Sequence, residues 1–137
     1  PLFIYSIMRQ ESLFEGFVHS AAGARGLMQV IPSTGANIAR QYGWPVGYTK
    51  DDLYRPIVSV KFGIFYLNRN RALLNEDLYA TLAAYNGGPG NAIEWQALGQ
   101  GDPDLLLESI RFAETRNYIK FIYETYQIYK NIYSKVP

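Results

Sequence analysis

The chain has 137 residues, of which 48% are hydrophobic and 15% aromatic, so a single domain has enough apolar residues to bury its own core. Thirteen basic and twelve acidic side chains leave a net charge of +1, which favours neither nucleic acid nor a membrane surface as partner. There is no cysteine and one histidine, His19, so disulfides, thiol nucleophiles and multi-histidine metal sites are excluded. No apolar run reaches the length of an integral membrane segment.

The first predicted helix ends near Glu11. One face of this helix carries four apolar residues and a carboxyl, namely Phe3, Ile4, Ile7, Met8 and Glu11. Burial of that face would raise the pKa of the carboxyl, as acid catalysis near neutral pH requires, whereas an ion pair with Arg9 or Arg25 would lower it. From position alone, a capping or ion-paired glutamate is the commoner situation.

Prolines and glycines divide the remainder into short amphipathic segments. Pro32 and Pro56 suit the first turn of a helix, and the Gly-Gly-Pro-Gly run after Asn86 stops one. The helices predicted after the first cover residues 33–42, 57–71, 78–86, 91–98 and 113–133. Two-residue alternation is weak and confined to 27–31, so we expect no large sheet. The fold class is therefore mainly α, with helices around one core and a groove where the glycine-rich loops meet.

The last predicted helix carries a stripe of mostly aromatic residues at helical spacing. Its members are Tyr118, Ile122, Tyr126, Tyr129 and Tyr133. We assign this stripe to core packing rather than to catalysis, because aromatic residues at this spacing form the buried face of a helix.

Four segments, in this order, resemble the soluble lytic transglycosylase family. They are RQES at 9–12, GARGLMQ at 23–29 followed by Pro32 and Thr34, AYNGGPG at 84–90, and ESIRFAETRNY at 108–118. The family is similar to glycoside hydrolase family 23 and cleaves the glycan strands of bacterial peptidoglycan. The resemblance covers most of the chain and implies a lysozyme-like fold of the goose-type superfamily. Arg111 and Gly35 depart from the pattern, which usually has proline and alanine there.

The resemblance implies that Glu11 is the one catalytic residue. It would protonate the bridging oxygen of the MurNAc-GlcNAc β-1,4 bond and then, as carboxylate, remove the proton from the muramic acid 6-hydroxyl. That hydroxyl attacks within the same sugar, which leaves a 1,6-anhydromuramoyl end. This route uses no metal and no cofactor.

Six further residues are implied as substrate-binding: Ser20, Met28, Gln29, Tyr85, Asn86 and Glu114. Ser20 and Gln29 would approach the sugar at the cleavage point, and Tyr85 would hydrogen-bond close to Glu11. Structural alternatives remain open for several, because Ser20 and Asn86 could cap turns and Tyr85 could belong to the core. Met28 would line the groove or pack beneath Glu11. Glu114, with Thr115, would cap the last helix or reach the peptide stem.

Two other functions remain as alternatives. A hydrolytic goose-type lysozyme would need a second carboxylate, for which Glu15, Asp51 and Asp52 are the nearest candidates in sequence. Glu15 is expected to lie beyond the first helix, and the Asp pair after Thr49-Lys50 is expected to cap a helix. The third possibility is a non-catalytic module that binds peptidoglycan.

The organisation of the chain is predicted as follows. Residues 1–137 form one catalytic domain, a segment of a longer protein, because the chain enters a catalytic helix almost at once. No signal sequence is recognisable, so a signal peptide is absent or removed. The expected partner is the peptidoglycan strand, the expected location is the periplasm or cell envelope, and the expected state is a monomer.

Overall fold

The computed structural model describes residues 1–133, and these contain seven α-helices and one short 3₁₀ helix. The α-helices are α1 (Leu2–Ser12), α2 (Pro32–Tyr42), α3 (Pro56–Leu73), α4 (Leu78–Gly87), α5 (Pro89–Gly99), α6 (Pro103–Ser109) and α7 (Ala113–Tyr133), and the 3₁₀ helix is Lys50–Tyr54. Strand pairing within these residues is limited to isolated bridges of Arg25 with His19 and Val30. The mainly α prediction is confirmed, and the weak alternation at 27–31 produces no sheet.

The predicted helix starts at proline are confirmed. α2 begins at Pro32 and α3 at Pro56, where a residue without an N–H loses no helical hydrogen bond. α6 is not among the helices predicted from the sequence, and it follows directly on the glycine and proline breaks. Asp102 caps it by accepting hydrogen bonds from the backbone N–H groups of Asp104 at 2.8 Å and Leu105 at 3.1 Å.

The chain divides into two compact units, Pro1–Tyr66 and Leu67–Pro137. The first unit contains α1, α2, the 3₁₀ helix and the beginning of α3, and α2 packs against the 3₁₀ helix. Its fully buried side chains include Ile7, Met28, Ile38, Leu53, Val58 and Phe62. Gly63 lets α3 approach the loop before α2, because a Cβ at this position would lie 2.5 Å from Cβ of Met28.

In the second unit α4 packs against α5, α6 and α7. Asp77 caps α4 through a 3.1 Å hydrogen bond from the backbone N–H of Ala80. The fully buried hydrophobic side chains of the second unit include Leu74, Leu82, Ile110, Ile119 and Ile122. Within residues 1–133 none of the helices combines the length and apolar character of a membrane span.

The aromatic stripe on α7 is only partly a core element. Tyr118 and Ile122 are buried, as predicted, but Tyr126 and Tyr129 are partly exposed and Tyr133 is 54% exposed. The prediction of core packing is therefore confirmed for the first half of the helix and wrong for Tyr133. Helical spacing alone does not reveal where neighbouring elements stop covering a long helix.

Candidate active site

Glu11 lies on the last turn of α1 and is partly buried. Ile7 and Met8 on the preceding turn are buried, which confirms the inner part of the predicted apolar face. α1 ends at Ser12, and its C-cap residue Leu13 adopts a left-handed conformation with φ of 52°. The Ser12 hydroxyl lies 3.0 Å from the carbonyl oxygens of Met8 and of Leu27. The helix end that carries Glu11 is thereby tied to the loop that carries the GARGLMQ segment.

Ser20 shapes the first turn of that loop. Its hydroxyl oxygen accepts a 3.1 Å hydrogen bond from the backbone N–H of Ala24, and the Ser20 N–H donates to the Ala24 carbonyl at 3.0 Å. The turn-capping alternative for Ser20 is therefore confirmed. A hydroxyl also has a hydrogen to donate, so the cap leaves the donor function of Ser20 in place.

Gln29 is held in one orientation by its side-chain amide. The Nε2 group donates to the carbonyl of Gly26 at 2.9 Å and to that of Val18 at 3.1 Å, and the backbone of Gln29 has φ of 46°. Both amide hydrogens are used by these bonds. What Gln29 offers to a ligand is therefore its carbonyl oxygen, a hydrogen-bond acceptor.

Met28 is fully buried in the first unit. Its backbone N–H donates to the Ser59 hydroxyl at 3.0 Å, and its side chain packs where a Cβ of Gly63 would otherwise lie. Direct contact of Met28 with a substrate stays a prediction that this burial does not favour. The exposed apolar residue of the segment is Ile31, at 47% exposure, which the sequence reading did not select.

The other carboxylates of the first unit have different surroundings. Glu15 is exposed beyond the end of α1, as predicted. Asp51 accepts a hydrogen bond from Arg25 at 2.5 Å, so Arg25, one of the two arginines considered as partners of Glu11, forms an ion pair with Asp51. Asp52 forms a capping box with Thr49, which confirms the predicted cap.

The pKa of Asp52 is lowered from its ordinary value. The main cause is the hydrogen bond from the Thr49 backbone N–H at 2.8 Å, followed by the bond from Arg55 at 3.0 Å. Both donors favour the ionised form, so Asp52 is held as a carboxylate with a structural role.

In the second unit, the AYN segment forms the end of α4. Tyr85 and Asn86 are partly buried. The Thr115 hydroxyl donates to Oδ1 of Asn86 at 2.6 Å and is itself buried. This bond joins the third motif segment to the fourth, at the first turn of α7.

Glu114 is exposed in the first turn of α7, where a carboxylate interacts favourably with the helix dipole. The Thr115 hydroxyl binds Asn86, and the cap of α7 by Glu114 with Thr115 stays a prediction.

Two buried hydroxyl groups support the motif segments and were not assigned this role from the sequence. Ser59 holds the backbone of Met28, and Thr115 holds the side chain of Asn86. The available signal was a small polar residue within an otherwise apolar stretch, since Ser59 follows Val58 and both are fully buried. Across residues 1–133, no three or more His, Asp or Glu side chains are grouped closely enough to hold a metal ion.

The fold and these segments define a class, that of lysozyme-like helical domains. An inactive Glu→Gln mutant of lytic transglycosylase Slt from Pseudomonas aeruginosa superposes with a TM-score of 0.84 and 34% identity over 96% of this chain and 21% of that one. The 70-kDa soluble lytic transglycosylase in complex with bulgecin A gives a TM-score of 0.87 and 30% identity over 96% and 22%. The predicted lysozyme-like fold is confirmed.

The chain belongs to the Transglycosylase SLT domain family, whose model matches residues 1–104. The soluble lytic murein transglycosylase of Escherichia coli K12 is 34% identical over 128 residues, which cover 90% of this chain and 20% of that protein. The chain thus spans about a fifth of the length of this relative. The family resemblance inferred from the four segments is confirmed.

Proposed function

We propose that the chain is the catalytic domain of a peptidoglycan lytic transglycosylase with Glu11 as its one acid and base. Family membership supports the reaction class, and relatives that are similar along most of this chain are named lytic murein transglycosylases. The observation that carries the proposal is the place of Glu11, a partly buried carboxyl at the end of a helix that buries Ile7 and Met8 on its preceding turn. A Glu→Gln change inactivates the similar Pseudomonas enzyme, which supports an essential glutamate.

In the proposed reaction, Glu11 gives up one proton and then takes up another. The carboxyl gives its proton to the oxygen that bridges MurNAc and GlcNAc as the bond from that oxygen to the muramic acid C1 breaks. The 6-hydroxyl oxygen of the same muramic acid then bonds to C1, and the carboxylate takes up the hydroxyl proton. Positioned acid catalysis contributes roughly 10²–10⁴-fold, and an internal nucleophile avoids the cost of recruiting water.

The loop around Gln29 offers groups that suit a neutral sugar. Gln29 presents an acceptor for a hydroxyl or acetamido N–H, because its amide hydrogens are bound to Gly26 and Val18. Ser20, in the same loop, offers a hydroxyl donor. We assign Met28 to support of this loop, through its packing near Gly63, and Ile31 to the exposed apolar contact.

The second unit would contribute Tyr85, Asn86 and Glu114 to substrate binding. Asn86 is oriented by the Thr115 hydroxyl, which fixes its amide group. Glu114 is exposed in the first turn of α7 and has the charge to meet an amine of a peptide stem. The proposal treats residues 1–137 as one monomeric domain of a longer protein that acts on peptidoglycan strands in the periplasm or cell envelope.

Hydrolysis by a goose-type lysozyme would require a second carboxylate about 6.5–9.5 Å from the acid to activate water, or about 5–5.5 Å away as a nucleophile. Two of the three carboxylates considered for this role have other partners, since Asp51 binds Arg25 and Asp52 binds Thr49 and Arg55. The third, Glu15, is exposed beyond the end of α1. The bonds of Asp51 and Asp52 favour the one-acid route. A module that only binds glycan would release no soluble fragments.

Digestion of purified sacculi, with mass spectrometry of the released fragments, tests the proposal. The wild-type chain should release fragments with 1,6-anhydromuramoyl ends, and Glu11→Gln should lower the rate by roughly 10²-fold or more. Glu15→Gln is the matched control, because Glu15 is an exposed glutamate of the same unit and should keep wild-type activity. Full activity of Glu11→Gln, or reducing ends in place of anhydro ends, would contradict the proposal.

A further inference from the structure

Phe17 is the most exposed aromatic side chain in the loop that follows α1. It is 83% exposed, and Leu13 and Phe14 just before it are 69% and 45% exposed. Single exposed apolar residues are common on protein surfaces, whereas several together indicate a surface that binds something.

The ring of Phe17 has an aromatic partner within the first unit. It stacks on Tyr54 with ring centroids 5.9 Å apart and an interplanar angle of 30°. The Arg25 guanidinium lies 5.3 Å from the centroid of the same Tyr54 ring, and Arg25 binds Asp51 at 2.5 Å. Phe17, Tyr54, Arg25 and Asp51 therefore form a connected cluster, which we call the Phe17 platform.

The polar members of the Phe17 platform identify the chemistry that it fits. The Asp51 side chain is 71% exposed, and a carboxylate has acceptor positions beyond the one that Arg25 occupies. An exposed carboxylate repels anions such as phosphate groups or peptide carboxylates, but accepts hydrogen bonds from neutral hydroxyls. An exposed aromatic ring in the same cluster as a hydroxyl acceptor fits a neutral sugar ring, which has an apolar face and a hydroxyl rim.

The platform is continuous with the loop assigned to substrate binding. The carbonyl of Val18, next to Phe17, accepts hydrogen bonds from Gly26 N–H at 3.0 Å and from Gln29 Nε2 at 3.1 Å. Phe17 is three residues from Ser20, so their Cα atoms lie within about 11 Å of each other. A strand held at Ser20 and Gln29 would have its next sugars within reach of the Phe17 ring.

We propose that the Phe17 platform is an additional sugar-binding site that stacks a neutral N-acetylglucosamine ring of the glycan strand, outside the pair of sugars that is cleaved. This inference rests on the proposed function, because it extends the same strand beyond the cleavage point. It makes strand length a determinant of affinity, since only a longer strand reaches both the Gln29 loop and the platform.

Binding of chitobiose and chitopentaose, measured by titration calorimetry in the Glu11→Gln background, tests the inference. The chain should bind the pentamer more tightly than the dimer, and Phe17→Ala should weaken pentamer binding about 3- to 10-fold with a smaller effect on the dimer. Phe17→Tyr should keep the preference for the pentamer, because it keeps the ring. Phe121→Ala removes another exposed phenyl group, on α7, and should match the unsubstituted background.

An unchanged pentamer affinity in Phe17→Ala would overturn the inference, as would an equal loss in Phe121→Ala or no gain from dimer to pentamer. Circular dichroism should show an unaltered fold, because Phe17 contributes little buried surface. The sacculus digest separates the two proposals. If the wild-type chain releases anhydro ends but binds dimer and pentamer equally well, only the proposal for the Phe17 platform is overturned. If it releases no anhydro ends, the transglycosylase assignment is contradicted.

Discussion

Gly35 in α2 leads to a sharp prediction, because the resemblance has alanine at this position. A Cβ at Gly35 would lie 2.3 Å from the Tyr48 hydroxyl oxygen and 3.2 Å from Cδ2 of Leu53, well inside normal contact distance. The Tyr48 hydroxyl is buried and has no hydrogen-bond partner among the described residues. Burial, with a smaller contribution from Asp52, raises the pKa of Tyr48. The methyl group of an alanine at position 35 would thus occupy the space that the Tyr48 hydroxyl fills.

The expected change in the free energy of unfolding follows from two opposing effects, helix propensity and overpacking. Glycine to alanine inside a helix contributes about 1 kcal/mol to stability, whereas overpacking costs about 1–3 kcal/mol, so we expect Gly35→Ala to destabilise by about 1 kcal/mol. Tyr48→Phe removes an unpaired buried hydroxyl and should stabilise by about 1 kcal/mol. In the double variant the clashing oxygen is gone, so the effects should not add, with a favourable coupling of about 1–2 kcal/mol.

Urea unfolding of the four proteins in this double-mutant cycle gives the coupling free energy directly. Gly90→Ala in α5 is the control, because a Cβ there meets no atom within 4 Å and should not destabilise the chain. The reasoning is refuted if Gly35→Ala is as stable as the wild type, or if the double variant equals the sum of the single variants.

Two further predictions concern the first unit. Met28→Ala should lower the free energy of unfolding by about 2–5 kcal/mol, because Met28 is fully buried. Ile31 is exposed, so Ile31→Ala should lower it by about 1 kcal/mol or less. Similar losses in the two variants would contradict the burial of Met28. The lowered pKa of Asp52 contributes stability that is fully present above the unfolded pKa of about 3.9 and is lost as pH falls through the lower folded pKa. The difference in urea midpoint between the wild type and Asp52→Asn should therefore become smaller from neutral pH to about pH 3. A difference that stays constant with pH would contradict this prediction.

Local sequence signals predicted most of the helices, because proline and glycine act within one turn. Pro32 and Pro56 set helix starts, and the Gly-Gly-Pro-Gly run sets the boundary between α4 and α5. α6 was missed because its seven residues are too few to show a helical repeat, although Asp102 and Pro103 are a cap and first residue of the usual kind.

The sequence proposes residues for the candidate site but does not reveal the contacts that support them. The order of the four segments selected Glu11, Ser20 and Gln29, whereas position alone favoured structural roles. The bond from Thr115 to Asn86 joins residues 29 apart and that from Met28 to Ser59 joins residues 31 apart, so both depend on tertiary packing. The sequence allows Met28 either to line the groove or to pack beneath Glu11, and its full burial likewise depends on tertiary packing.

In the proposed reaction Glu11 cleaves the glycosidic bond without adding water. Digestion of sacculi in heavy-oxygen water, followed by mass spectrometry of the fragments, distinguishes this route from hydrolysis. We expect anhydro ends without label from the wild-type chain, because the new bond to C1 comes from the 6-hydroxyl of the same sugar. Reducing ends that contain the heavy oxygen would contradict it and would require a carboxylate that activates water.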